Sequence, residues 1–470
     1  MQHHLTHPVF TLIAEAAAQT GQEVYVIGGF VRDLFLKRPS KDVDILVVGN
    51  GIEFARKIGE KTGSKVAVFK NFGTAMLRYE DLEVEFVGAR KESYRNDSRK
   101  PIVEDGSLDD DQKRRDFTIN AMAIGLNGPH FGKLVDPFDG LGDLRRRLIR
   151  TPLRPESTYS DDPLRMMRAI RFASQLNFRV EDDSLEAIRK TRDRIRIVSQ
   201  ERITDELNKI ILSDRPSVGF RLLFDTGLLQ LIFPQMAALQ GVETIQGKSH
   251  KDNFYHTLEV LDNISRHTQD LWLRWAAILH DIAKPATKRF DPKAGWTFHG
   301  HEDRGARMVP KIFRQLRLPQ DEKMRFVQKM VALHLRPIAL AQEIVTDSAV
   351  RRLLFEAGDD IDSLMTLCNA DITTKNEYKI RKYQQNFELV RQKLIDVEER
   401  DRIRNWQPPV SGHDIMNLFN LNEGRKVGIL KNRIREAILD GDIRNDREEA
   451  LGLLLRLGEE MGLKVNPDRQ

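Results

Sequence analysis

The sequence predicts a mixed α/β head followed by an all-α body, and three observations carry that division. Strand-like runs alternate with helical stretches up to about residue 150. Beyond about residue 155 the strand signals nearly vanish, and apolar residues recur at helical spacing to the end of the chain. The chain has 470 residues, too many for one ordinary domain and suited to roughly three units.

The elements follow in order. MQHHLTHPVFTLIAEAAAQTG reads as a short amphipathic helix, since it lacks the basic stretch and apolar run of a secretory leader. VYVIGG, DVDILVVG, KVAVF, TAMLRYE and LEVEFVGAR are strand candidates. Between them IEFARKIGEKTG is a helix ended by Gly63, and INAMAIGL is one more strand. The body opens with DPLRMMRAIRFASQL and ITDELNKIILS, both helical. QPPVSG, near residue 410, is the clearest late linker. There is no internal repeat and no low-complexity tract.

Composition narrows the class. Hydrophobic residues are 40% and charged residues 31% of the chain, which fits a globular protein rather than a disordered one. The net charge of +5 and a pI near 9.1 permit a polyanionic partner without requiring one. The single cysteine, Cys368, excludes an intramolecular disulfide, fits a cytoplasmic location, and reads as a small buried apolar residue. No apolar run approaches the length needed to cross a bilayer, so no membrane partner is expected.

Gly28 and Gly29 close a strand and open a helix, where a backbone without Cβ approaches a phosphate. Asp42 and Asp44 follow on DVDILVV at i and i+2, so both carboxylates face one side of the sheet. Such a pair is costly without a cation between its members, and oxygen ligands suit Mg²⁺. The alternative is a solvated strand start neutralised by Lys41.

These residues resemble the nucleotidyltransferase superfamily that includes DNA polymerase beta. RRDFTINAMAI, residues 114–124, resembles the signature of the class II tRNA nucleotidyltransferases and bacterial poly(A) polymerases. The resemblance implies a nucleotidyltransferase-type head with Asp42 and Asp44 as catalytic, Mg²⁺-holding residues. It implies a nucleotide site of Gly28, Gly29, Arg32, Arg114, Arg115, Asp116 and Asn120, with the arginines on phosphate and Asp116 on the ribose. Glu85, in LEVEFVGAR, stands about where the wider superfamily keeps a further acid; an exposed strand residue is the alternative.

DDPLRMMRAIRFASQL resembles the family's E-D-x-x-R motif, with Asp161 in place of the Glu. Asp162 and Arg165 are then a protein template, with Arg168 one turn on. A carboxylate only accepts and a guanidinium only donates. Cytosine and adenine present an amino donor beside a ring-nitrogen acceptor, whereas guanine and uracil present the reverse. The same aspartates before Pro163 also read as a helix cap. SQERITDEL resembles a bracing helix, with Glu201 and Arg202 as the brace. The polar segment ARKESYRNDSRKPIVEDGSLDDDQ matches the place of a flexible loop that CCA-adding members use and A-adding members shorten.

His256, His280-Asp281 and Asp371, in that order, resemble the ligands of the HD phosphohydrolase superfamily. His301 and His334 lie where two-metal members supply extra ligands; helix-surface histidines are the alternative. A divalent metal of unspecified identity is expected, and His250 and His299 read as surface residues. In the tail, the family's Gly-Pro-x-Val-Gly is replaced by Gly424-Arg425-Lys426-Val427-Gly428, which keeps a helix start with Arg425 and Lys426 for RNA phosphate.

The expected division is a head over 1–152, a template and neck over 153–235, an HD-type helical domain over 236–375 and a tRNA-binding helical tail over 376–470. The resemblance implies addition of the tRNA 3′-terminal CCA from CTP and ATP. Two alternatives stand beside it. One is a poly(A) polymerase or an enzyme adding CC or A alone; the other is an HD phosphohydrolase whose head only binds RNA.

Overall fold

A computed structural model of the chain describes residues 1–70, 73–95, 98–340, 346–374, 376–404 and 406–466, with backbone alone over 93–95 and 98–102. It divides into two compact units, Met1–Ala237 and Ala238–Gln470. Among the described residues no helix is long and apolar enough to cross a membrane.

The first unit opens with α1 (Pro8–Thr20), β1 (Val24–Ile27) and α2 (Gly29–Phe35). Then come β2 (Asp42–Val47), α3 (Gly51–Thr62), β3 (Val66–Phe69), β4 (Thr74–Tyr79) and β5 (Leu82–Gly88). α3 starts where the Asn50 side chain accepts from Glu53 N and stops at Gly63, whose φ of 68° is the left-handed region that favours glycine. β6 (Arg90–Arg95) and β7 (Ser98–Asp105) form an antiparallel hairpin. The polar segment expected as a flexible loop is therefore largely a two-stranded ribbon, because its Lys/Glu/Val alternation pairs across strands without needing a core. After α4 (Leu108–Lys113) come β8 (Ala123–Gly125), β9 (Leu134–Val135) and α5 (Gly140–Arg146).

Seven of these strands form one sheet in the order β3-β4-β5-β2-β1-β8-β9. β2 pairs parallel with β5 and antiparallel with β1. Along β2 the side chains alternate: Val43, Ile45 and Val47 are buried in the core on one face. Asp42, Asp44 and Leu46 point to the other, where Leu46 joins an apolar cluster with Tyr25, Ile27 and Ala123. The acid pair therefore sits on a rigid central strand whose position is fixed by burial.

Helices α6 (Pro155–Asp161), α7 (Leu164–Leu176), α8 (Asp182–Thr191), α9 (Gln200–Ile211) and α10 (Pro216–Asp225) follow, and the short α11 (Leu228–Ile232) and α12 (Pro234–Ala237) close the unit. α7 packs against both α9 and α10, burying Met166, Ala169, Ile170 and Ala173 at helical spacing.

The second unit is helical, with two small hairpins, Thr244–Ile245 with Lys248–Ser249 and Arg289–Asp291 with Gly295–Thr297. Helices Asn253–Ser265, Leu271–Leu279, His301–Gln315, Glu322–Leu333 and Ile361–Ala370 form its first part. Shorter helices Lys284–Thr287, Leu335–Leu340 and Asp347–Ala357 lie among them, and a long helix, Glu377–Asp401, with helices Gly412–Phe419, Arg425–Asp440 and Arg447–Glu460, follows.

Candidate active sites

In the first unit, β1 ends beside the acids, with Ile27 opposite Asp44. Gly28 follows with φ of +80°, and a Cβ there would stand 3.0 Å from both an Asp44 carboxylate oxygen and Arg115 Nη1. Glycine is needed here for conformation and for space alike. Asp44 is paired in register with Glu85 on β5, so the two carboxylates share one sheet face. Glu85 is half-buried rather than exposed. Burial pushes the Asp44 carboxyl up; Arg115 offsets part of this, while Glu85 and Asp42 add to it. Acids crowded on one face, one of them mostly desolvated, form a hard-oxygen donor set that fits a divalent cation.

Arg114 and Arg115 do not hang free. Asp111, fully buried on α4, accepts from Arg115 Nε at 3.0 Å and from Arg114, which also donates to Glu92 at 3.2 Å. The guanidinium of Arg115 is thereby turned toward Gly28 and Asp44. Asp116 accepts from Phe117 N at 2.8 Å and Asn120 Nδ2 at 3.1 Å on one oxygen. On the other oxygen it takes Arg168 Nε at 2.7 Å and Nη2 at 2.5 Å. Burial raises its carboxyl, but Arg168 and the Asn120 amide outweigh that and hold it down at about 2. Asn120 Oδ1 accepts from Arg32 Nη1 at 2.8 Å, and Arg32 also pairs with Asp33. Arg32, Asn120, Asp116 and Arg168 thus form one chain from the glycine turn to α7.

Asp162 lies at the end of α6 and accepts from Leu164 N at 3.2 Å, while the N-cap position of α7 itself is Pro163. Arg165, in the first turn of α7, donates to the Arg114 carbonyl at 2.6 Å. Both line an open cleft of about 440 Å³ together with Arg114, Arg115, Asp116 and Arg168. α9 forms another wall of that cleft through Arg202 and Glu206. Glu206 is buried and pairs with Arg171 of α7, and this ion pair ties the two helices.

In the second unit six predicted residues meet. His256 Nε2 is 2.9 Å from Asp371 and 3.5 Å from Asp281. His280 Nε2 is 3.2 Å from Asp281, and His301 Nε2 is 3.2 Å from its other oxygen. His334 stands 3.9 Å away on that same side. His301 and His334 are buried, not on helix surfaces. The residues form two triads, His256, His280 and Asp371 against Asp281, His301 and His334, each with its donor atoms within 4.8 Å. Most of them stand at helix ends: His280, His334 and Asp371 are C-caps, and His301 opens its helix.

The outer shell fixes the tautomers. Nδ1 of His280, His301 and His334 meets the carbonyls of Ala277, Phe298 and Val331 at 2.7, 2.8 and 2.8 Å, and His256 Nδ1 meets Thr373 Oγ1 at 3.1 Å. The Nε2 atoms of His280, His301 and His334 are buried without a hydrogen-bond partner, and they face the buried Asp281 carboxylate, whose Oδ2 is ion-paired with Lys284 at 2.6 Å. Unpartnered inward imidazole nitrogens beside a buried carboxylate, oriented from behind, fit one or two divalent metals. Burial lowers the His280 ring, yet Asp281 and Asp371 overcome it and raise it to about 10; burial, with His280 beside it, lowers His334 to about 4. Cys368 is buried as expected and its thiol donates to the His334 carbonyl at 2.9 Å.

Sequence reasoning overlooked Asp111, Glu206 and Lys284. Each had a signal. Asp111 stands three and four residues before Arg114 and Arg115, one helical turn away. Glu206 is the third acid of SQERITDEL, after Glu201 and Asp205. Lys284 follows Asp281 by three and forms an ion pair with it, Nζ to Oδ2 at 2.6 Å. His250, expected on the surface, is half-buried against Trp296 and Phe298, with ring centroids 5.3 and 5.8 Å away.

Comparison with known proteins agrees with this anatomy. Residues 24–150 match the family model of the poly A polymerase head domain. Residues 177–239 match that of a probable RNA and SrmB-binding site of polymerase A, and residues 253–375 that of the HD domain. The chain is 33% identical to the A-adding tRNA nucleotidyltransferase of Deinococcus radiodurans, over 75% of this chain and 80% of the relative. It is 33% identical to the multifunctional CCA protein of Pseudomonas paraeruginosa, over 70% of this chain and 80% of the relative. Its fold resembles that of a CCA-adding enzyme in apo form II, with a TM-score of 0.65 and 23% identity over 96% of this chain and 95% of that one. The chain therefore belongs to the family of class II tRNA nucleotidyltransferases and bacterial poly(A) polymerases, and carries an HD domain after the head.

Proposed function

We propose that this chain adds the 3′-terminal CCA to tRNA in the cytoplasm, using CTP and ATP and no nucleic-acid template. The observation that carries this is the cleft in which Asp162 and Arg165 stand beside Arg115, next to the acid face of β2. The tRNA 3′ oxygen forms a bond to the α-phosphorus of the nucleotide. The bridge to the β-phosphate breaks and pyrophosphate leaves. Asp42 and Asp44 would hold divalent cations, taken as Mg²⁺ in a two-metal arrangement, and these would supply the positive charge that activates the hydroxyl and steadies the pyrophosphate.

The chain's own residues do the rest. Arg115 and Arg114, aimed by Asp111, meet the phosphates. Gly28 and Gly29 let the α2 backbone come close to them. Asp116 accepts four N–H groups from Phe117, Asn120 and Arg168. Its contact with the ribose therefore goes with a loosening of one of these bonds, and meanwhile it aims Arg168. Asp162 accepts the amino group of cytosine or adenine, and Arg165 donates to the adjacent ring nitrogen. Guanine and uracil leave both groups mispaired, at roughly 1–3 kcal/mol each. The four-part division 1–152, 153–235, 236–375 and 376–470 assigns the tail, with Arg425 and Lys426 exposed at a helix start, to tRNA phosphate.

A second activity in the same chain is favoured by the orphaned donor atoms of the HD centre. With His256, His280, Asp281, His301, His334 and Asp371 holding metal, the centre would supply an activated water for phosphoester hydrolysis. Relatives of both names, A-adding and CCA, match the chain, and nucleotide choice is what separates the two activities. The test is extension of a tRNA that lacks its 3′ end. Asp44→Asn should abolish extension while hydrolysis at the HD centre persists. Extension that survives Asp44→Asn would leave the head as an RNA-binding module.

A further inference from the structure

Three guanidiniums gather around one aromatic ring in the first unit, and the chemistry above gives that ring no part. Phe172 stands on α7 one turn after Arg168 and two turns after Arg165, so it continues the stripe that carries the template pair. The guanidinium carbons of Arg171, Arg32 and Arg168 lie over its ring at 4.0, 5.1 and 5.5 Å from the centroid. Arg32 and Arg168 belong to the chain of contacts that runs from the glycine turn through Asn120 and Asp116 to α7.

Such a gathering is costly by itself. Like charges repel, and water screens these poorly, since Arg32 and Arg171 are each 9% exposed. Burial lowers the pKa of the Arg171 guanidinium, Glu206 opposes this, and Arg168 lowers it further. Each guanidinium has a carboxylate of its own: Asp33 for Arg32, Asp116 for Arg168 and Glu206 for Arg171. Those acids stand on α2, just before Phe117 and on α9, so they fix the arginines separately. What the three arginines share is the negative face of the Phe172 ring.

The ring is itself fixed. Phe172 is 6% exposed, and the fully buried Phe117 meets it edge-on, with centroids 5.8 Å apart and planes at 82°. Phe117 follows Asp116 in the chain, and its backbone N–H donates to that carboxylate at 2.8 Å. A closed circuit results. Asp116 holds Arg168 by an ion pair, Arg168 lies over Phe172, Phe172 packs on Phe117, and Phe117 returns to Asp116. Asn120 and Arg32 close a second circuit through the same ring and the same carboxylate. An aliphatic side chain at this position would fill space but offer no negative face, so both circuits would open at one point.

We propose that Phe172 is a positioning residue for the incoming nucleotide, holding Arg32 and Arg168 in their binding orientation through the face of its ring. It touches no substrate. It acts through the two guanidiniums and, by way of Arg168, on Asp116. The inference rests on the proposed nucleotide role of Arg32, Asp116 and Arg168, and it adds the group that aims them together.

The test changes the charge distribution of the ring and keeps its shape. Full-length chain carrying mono-, tri- or pentafluorinated phenylalanine in place of Phe172 is titrated calorimetrically with ATP and Mg²⁺, and each chain is melted thermally. Fluorine drains the negative face without removing the ring. The dissociation constant for ATP should rise at each step, to about tenfold at full fluorination, and Phe172→Leu should match that last value. Pentafluorination of Phe54, which is buried against Phe86 with centroids 6.0 Å apart, should leave ATP binding within about twofold. In tRNA extension the fluorinated series should raise KM for ATP and hold kcat within about twofold. A ring that only fills space would give equal ATP binding along the series, and that result overturns the proposal. Equal weakening from the Phe54 replacement overturns it too, as does a fall in kcat with KM unchanged. No ATP binding by the unaltered chain would remove the nucleotide reading of the head and this inference with it. ATP binding that follows the fluorine series without any tRNA extension would end the transfer reading and leave the role of Phe172 standing.

Discussion

Asp44 sits between opposing demands: burial favours its neutral form, while holding a cation needs the carboxylate. Asp44→Asn keeps the shape and removes the charge, so nucleotide addition should fall by roughly a thousandfold or more with the melting temperature nearly unchanged. Steady-state extension rates and a thermal melt read both. Arg165→Ala should act on choice instead. It removes the donor that guanine and uracil cannot accept, so the ratio of UTP or GTP to CTP incorporation should rise about tenfold. A fall in all four nucleotides together would move Arg165 out of the template role. Asp116 gives a prediction in pH. Arg168 and the Asn120 amide hold its folded pKa at about 2, below the ordinary range of an aspartate. A lowered folded pKa contributes stability above the unfolded value and loses it as pH falls through the folded one. Unaltered chain and Asp116→Asn should therefore differ by about 2 kcal/mol in urea unfolding at pH 6 and converge between pH 4 and 2.

At the scale of elements, the cleft depends on α7 being held against α9. Arg171 and Glu206 are both buried, and Lys209 also reaches Glu206 at 3.4 Å. Glu206→Ala strands a buried guanidinium and should destabilise the chain by about 3 kcal/mol, whereas Glu206→Gln keeps a hydrogen bond and should cost less. Urea midpoints separate the two. The elements themselves were largely legible in the sequence. β1 to β5 and α3 lie where the strand-like runs and the helix stop at Gly63 place them. The β6–β7 ribbon was harder to see, because the residues along it are mostly charged or polar and show no apolar alternation. The hairpin at Arg289–Asp291 and Gly295–Thr297 escaped for a similar reason: three-residue strands have too few positions to show a period.

For the whole molecule, what the sequence carried was residue type, and what it lacked was long-range juxtaposition. The Asp42–Asp44 spacing announces a shared face by itself. That Glu85 falls beside Asp44 depends on a parallel strand pairing across about forty residues of chain. The histidines spread from His256 to His334 converge only because helix ends meet. Two sites in two compact units, Met1–Ala237 and Ala238–Gln470, also predict separable chemistry. His280→Ala should eliminate phosphoester hydrolysis and leave the rate of nucleotide addition within about twofold, since the changed site shares no partners with the head. Parallel assays of one preparation would show it.

The most direct measurement is the sequence of the product ends. A tRNA trimmed to its discriminator base is incubated with the chain, Mg²⁺ and all four nucleotides, and its new 3′ termini are sequenced. An acid and a guanidinium choosing the base predict C, C and A in that order, then a stop, with no G or U. Termini of A alone, of repeated A, or of all four bases would contradict it.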